Sequence, residues 1–121
     1  MADYQINSEV KFKPLERADL DAVRAGFTHT WVNQTLLAVN GEVLRLGVVK
    51  GEFHWHKHTD SDELFYVVEG TLFVDIEGGP THTLGPRQTI VVPRNTVHRT
   101  RAPDGVVMLM VGAAGIKPTG D

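Results

Sequence analysis

Gly51-Glu-Phe-His-Trp-His-Lys-His58 places a histidine at every second position: His54, His56 and His58. Alternate side chains of a β-strand leave the backbone on one face. This spacing therefore predicts an extended segment with three imidazoles on one wall. Glu63 follows shortly after, and His98 stands in a separate segment, Pro93-Arg-Asn-Thr-Val-His98. Imidazoles and a carboxylate together have the composition of a site for a divalent metal.

Outward from that stretch the pattern stays β. Residues 34–39 read as a strand, Asn40-Gly41 as a type I′ hairpin turn, and residues 42–50 as the returning strand. Gly51 marks a bend or bulge able to break the alternation nearby. Residues 59–62 read as a turn, and 63–69 and 71–76 as strands on either side of Gly70. Four more short strands are expected at 81–84, 89–92, 97–101 and 106–111, each bounded by Gly, Pro or Asn. Many short strands at close spacing imply an all-β sandwich or barrel. Before them, Ile6, Val10 and Phe12 suit an edge strand or arm, and residues 17–24 can form one or two helical turns stopped by Gly26. The division expected is an N-terminal arm at 1–30, packed on the barrel or a partner subunit, a barrel at 31–112 and a loose tail at 113–121.

The chain has 121 residues, with 41% hydrophobic and 22% charged, which suits one globular domain. A net charge of -3 gives no electrostatic case for nucleic acid. No cysteine is present, so disulfides, cysteine-bound zinc and thiol catalysis are excluded. No apolar run approaches the ~20 residues that cross a bilayer. The first residues lack a basic-then-apolar signal, and a cytoplasmic location is expected.

Across residues 40–111 the chain resembles the cupin family. The family's first motif runs Gly, His-x-His, Glu, Gly, matched here by Gly51, His56-Lys-His58, Glu63 and Gly70. Gly51 stands one residue closer to His56 than the usual pattern. The second motif has a Gly, a Pro, a second Gly and a His, matched by Pro93 and His98. Arg87 stands at the first Gly and Asn95 at the second; Asn tolerates the left-handed backbone better than other non-Gly residues. Gly85, two residues before Arg87, is able to make that turn instead.

The resemblance implies a double-stranded β-helix, a jelly-roll barrel, with an N-terminal arm. It implies one divalent metal, Fe, Mn, Ni or Zn, held by His56, His58, Glu63 and His98. It also implies a small-molecule substrate and a homodimer. Cupins include oxygenases and isomerases as well as ligand-sensing and storage proteins, so fold leaves function open. The first reading is a metal-dependent oxygenase or isomerase. The alternative is a non-catalytic module binding a small ligand or metal, and a third is a metal-free structural β-domain.

His54 falls outside the family's ligand pattern. It is open to a ligating role, an outer hydrogen bond, acid/base catalysis or mere pocket lining, and acid/base work is the expectation taken. His29 and His82 are expected outside the site. Phe65 and Val67 share Glu63's face and line the interior, with Leu64 and Tyr66 opposite. Trp55 is expected on the face opposite the histidines, at a dimer contact or beneath the arm. Met108 and Met110 share one face of the last strand as core or pocket wall. Arg99 and Arg101 have parity opposite to His98 and should face out. Arg45, Arg87 and Arg94 are the other arginines able to meet a substrate carboxylate.

Overall fold

The structure is a computed structural model that describes residues 4–121. Its elements are β1 (Tyr4–Asn7), α1 (Leu20–Ala25), β2 (Trp31–Val39), β3 (Glu42–Glu52), β4 (Glu63–Gly70), β5 (Leu72–Ile76), β6 (Thr81–Leu84), β7 (Thr89–Val92) and β8 (His98–Ala113). The hydrogen-bonded order is β1-β2-β3-β8-β4-β7, while β5 joins β6 and the first part of β8. The architecture is the jelly roll, with the ladder left open at β7 and β6.

β8 is a single strand where two were expected at 97–101 and 106–111. Its start pairs with β5, from Ile76↔His98 to Phe73↔Arg101, and its end pairs with β3 and β4. Pro103, Asp104 and Gly105 fall between Gly51↔Ala102 and Val49↔Val106, opposite Lys50 alone. The extra residues bend β8 without interrupting it, so one strand serves both layers. The bend depends on close packing: a Cβ on Gly70 (φ 88) would stand 2.5 Å from the Gly105 carbonyl oxygen.

The hairpin between β2 and β3 has the expected two-residue loop, closed by Val39↔Glu42. Asn40 (φ 54) is left-handed and Gly41 is not, so the turn departs from type I′, which needs both. At the second motif Arg87 (φ 67) and Asn95 (φ 63) themselves take the conformation expected of glycine. Gly85 does not relieve Arg87. Pro86 and Arg87 occupy the two central positions of a turn closed by Gln88 N–H to Gly85 O at 3.1 Å, where the second position requires positive φ.

Two cores follow from strand alternation. The inner one gathers Trp31, Phe53, Phe65, Val67, Leu72, Val74, Met108 and Met110 between the layers. Leu64 and Tyr66 are less buried than Phe65 and Val67, as the parity predicts. The outer core places Val23 of α1 against Leu36, Leu46 and Val107, with Phe12, Leu20 and Phe27 at its edge. The Asp19 side chain caps α1 by accepting from Ala22 N–H at 3.1 Å. β1 lies parallel to β2, from Tyr4↔Trp31 to Asn7↔Gln34.

The last residues form hydrogen bonds with the barrel mouth. Asp121 N–H donates to the Lys57 carbonyl at 2.9 Å, and Thr59 N–H donates to Asp121 Oδ2 at 2.7 Å. A Cβ on Gly120 (φ 94) would lie 2.5 Å from His56 Cβ, so the tail backbone rests directly on that residue. No helix among the described residues is long and apolar enough to cross a membrane.

Candidate metal centre

His56 and His98 form an isolated antiparallel bridge in which each N–H donates to the other's carbonyl, at 2.9 and 2.8 Å. That pairing sets their rings 4.4 Å apart, centroid to centroid. His58 follows two residues after His56, and its carbonyl accepts from Asn95 N–H at 2.7 Å. Glu63 opens β4 on the inward face that also carries Phe65 and Val67. The loop delivering it is fixed by Arg94 N–H to Asp62 Oδ1 at 2.9 Å and Ala113 N–H to Ser61 Oγ at 2.9 Å.

The four side chains converge, with one ligand atom from each of His56, His58, Glu63 and His98 within 4.8 Å of all the others. His58 Nε2 is 3.4 Å and His98 Nε2 3.7 Å from Glu63 Oε1. His58, Glu63 and His98 are buried, His56 partly so. Backbone carbonyls fix the tautomers of two rings. His56 Nδ1–H donates to His54 O at 2.9 Å, and His98 Nδ1–H donates to Thr96 O at 2.8 Å. In both rings Nε2 is then the lone-pair nitrogen, the form that ligates a metal.

The buried atoms His58 Nδ1, His58 Nε2 and His98 Nε2 have no hydrogen-bond partner. Buried polar atoms left unmatched are costly, and three in one cluster call for a cation. Electrostatics agrees with that fit. Burial alone would raise the Glu63 carboxyl, but His58 and His98, when protonated, hold it down at about 2, and a bound cation would supply that positive charge once the rings are neutral. Burial also lowers His56 to about 4, favouring the neutral ligating ring. The donor set is N3O, suited to several divalent metals.

His54 does not share the wall of His56 and His58. Inward Val49 and Phe53 keep one parity across Gly51, and the alternation breaks in the irregular stretch between Phe53 and His56, which leaves His54 exposed. Its Nε2–H donates to Thr119 O at 2.7 Å, and its ring lies 5.5 Å from that of His56. Trp55 is exposed under the Arg99 guanidinium, 4.8 Å from its ring centre. Arg99 and Arg101 turn away from the cluster to Asp75, with Nε–H donors at 2.8 and 2.6 Å from Oδ2. Arg94 lies outside on Asp62. His29 and His82 are not in the cluster.

Two residues gain importance from the structure. Asn33 lines the interior with His56 and Glu63. It lies before the strand expected at 34–39, so strand alternation did not reach it; the observed strand begins at Trp31. Asp75 gathers Arg99, Arg101 and Thr81; nothing but its place in an apolar strand distinguished it.

The profile describing the Cupin domain matches residues 43–112. The uncharacterized protein YdbB of Bacillus subtilis (strain 168) is 44% identical over 70 residues, covering 58% of this chain and 62% of that one. The chain thus matches less than two thirds of that relative's length. A cupin-2 domain containing protein of Shewanella frigidimarina NCIMB 400 superposes with TM-score 0.73 at 28% identity, over 78% of this chain and 91% of its own. Protein NMB1881 of Neisseria meningitidis gives TM-score 0.73 at 26% identity, over 81% and 99%.

Proposed function

The chain belongs to the cupin family, and from that premise we propose that it is a metal-dependent enzyme of the oxygenase or isomerase type acting on a small molecule. The observation carrying this reading is the set of unpartnered imidazole nitrogens, His58 Nε2 and His98 Nε2, gathered around Glu63. His56, His58, Glu63 and His98 would hold one divalent ion. When bound, such an ion supplies Lewis-acid polarisation of a substrate oxygen or activation of dioxygen.

The chain's own residues do the rest. The carbonyls of His54 and Thr96 orient the His56 and His98 rings, so ligand geometry is preset before any ion arrives. Trp31, Phe53, Phe65, Met108 and Met110 give the interior an apolar lining that excludes water and strengthens electrostatic contacts there. His54 stands at the rim, and its proposed role is proton transfer to a substrate once its Nε2 leaves the Thr119 carbonyl.

A homodimer is part of the proposal. It is supported by exposed Trp55, at 44%, and by exposed Val91, at 51%, on the open edge strand β7.

The test is metal content of the purified protein, followed by turnover of a panel of small carbonyl compounds and acids with each metal restored in turn. Metal-dependent turnover supports the enzyme; metal binding without turnover of any member supports the non-catalytic module instead.

A further inference from the structure

Arg45 lies on the inner face of β3, in step with Gly47 and Val49. That face is inward because a Cβ at Gly47 would meet the Met110 and Met108 methyl carbons at 2.9 and 3.0 Å. Arg45 is 4% exposed, yet its side chain makes one hydrogen bond, Nε–H to Thr35 Oγ1 at a long 3.4 Å. No carboxylate lies within ion-pair distance of it among the described residues. Glu63 attracts it from farther off, while burial, the stronger influence, disfavours its charge.

A guanidinium carries five donors in a planar fork and keeps its charge under all ordinary conditions. The Arg45 Nη donors have no protein acceptor and still reach solvent, so an anion could take them without breaking a bond within the protein. A second polar group waits nearby. Asn33 is 6% exposed, its Oδ1 has no partner, and it lines the space that also holds Glu63 and His56. Asn33↔Gly47 and Thr35↔Arg45 are successive inward pairs on β2 and β3, so the amide and the guanidinium are diagonal neighbours.

We propose that Arg45, beside Asn33, is the anion-recognition residue of the barrel interior and selects a small carboxylate as ligand. This rests on the reading that the interior is the ligand site. The carboxylate's two oxygens match the fork of Arg45, and the rest of the ligand extends toward His56 and Glu63. The space now free is about 20 Å³, near one water. Entry therefore requires Met108 and Met110 to swing aside. Unbranched methionines do this readily, and their methyl ends already crowd the bare Gly47.

The test titrates acetate, lactate and benzoate, each against its primary amide, into metal-free and manganese-loaded protein by calorimetry. At least one acid should bind at least about tenfold more tightly than its amide. Arg45→Met should erase that preference, and Arg45→Lys should retain only part of it. In wild-type protein the Arg45 Nε–H resonance, assigned by its loss in Arg45→Lys, should shift on adding the preferred acid. This readout needs no stable Arg45→Met protein. No preference for any acid, an unmoved resonance, or full preference in Arg45→Met would overturn the inference. Failure of the metal reading would appear separately, as absence of bound manganese.

Discussion

His56 and His98 lie far apart in sequence yet exchange both backbone hydrogen bonds, His56 N–H to His98 O and the reverse. The ladder thus brings together two imidazoles that the loops could not hold at fixed distance. β8 makes this possible by running from the mouth, where His98 meets His56, through the bend into the main sheet.

Gly70→Ala should be far more damaging than Gly47→Ala. At Gly70 the new methyl meets a backbone carbonyl at 2.5 Å with φ at 88. At Gly47 it meets methionine side chains able to move aside in part. Overpacking costs about 1–3 kcal/mol, and Gly47→Ala should fall at the low end of that range. Gly70→Ala should lose about 3 kcal/mol or more, since strain and clash add. Urea unfolding of both variants measures the difference; equal losses would contradict the packing at the bend.

Asp75 is buried and accepts from Thr81 Oγ1, Arg99 Nε and Arg101 Nε and Nη2. The Arg101 bonds above all hold its carboxyl well below the usual carboxylate range. A carboxylate with a depressed folded value contributes stability that is present above its unfolded value of 3.8 and is lost as pH falls toward the folded value. Asp75→Asn should lower stability at neutral pH by about 2–4 kcal/mol. It should also flatten the decline of Tm below about pH 4. A wild-type-like acid profile in the variant would refute the assignment.

The tail should open without global unfolding. Gly120→Val places a branched side chain at φ 94 against His56 Cβ and the Lys57 carbonyl. The bonds of Asp121 and Thr119 should break, each a partly exposed bond of about 1 kcal/mol. Hydrogen exchange should speed at the Thr59 and Asp121 amides while core amides of β3 and β8 stay protected. Unchanged exchange at Thr59 would show that the tail does not depend on Gly120.

Asp19→Ala removes the acceptor for Ala22 N–H and should cost about 0.5–2 kcal/mol. The loss should appear as easier opening of α1 over Val23 and Leu36, read by exchange at the Val23 amide.

Much of this was legible in the sequence because alternation reports burial directly. The inward positions of Phe65 and Val67 and the outward turn of Arg99 and Arg101 follow from period-2 geometry. The cluster of His56, His58, Glu63 and His98 was legible as a motif, since residue types and spacings agree with the family pattern in two segments.

Three features were not legible, each for a physical reason. Pro103-Asp104-Gly105 has the composition of a loop, yet neighbouring strands on both sides hold β8 together across it. His54 has the spacing of a strand, but residues 53–55 leave the strand and the face changes between Phe53 and His56. Tethering of the tail pairs backbone groups with each other and with two single side chains, His54 and Asp121, which no periodic pattern announces.

The most direct test of the metal centre is elemental analysis of wild-type protein beside His98→Ala, after saturation with manganese and dialysis. Wild type should hold about one ion per chain, and His98→Ala should lose it with the fold intact by circular dichroism. Full metal content in His98→Ala, or none in wild type, would contradict it.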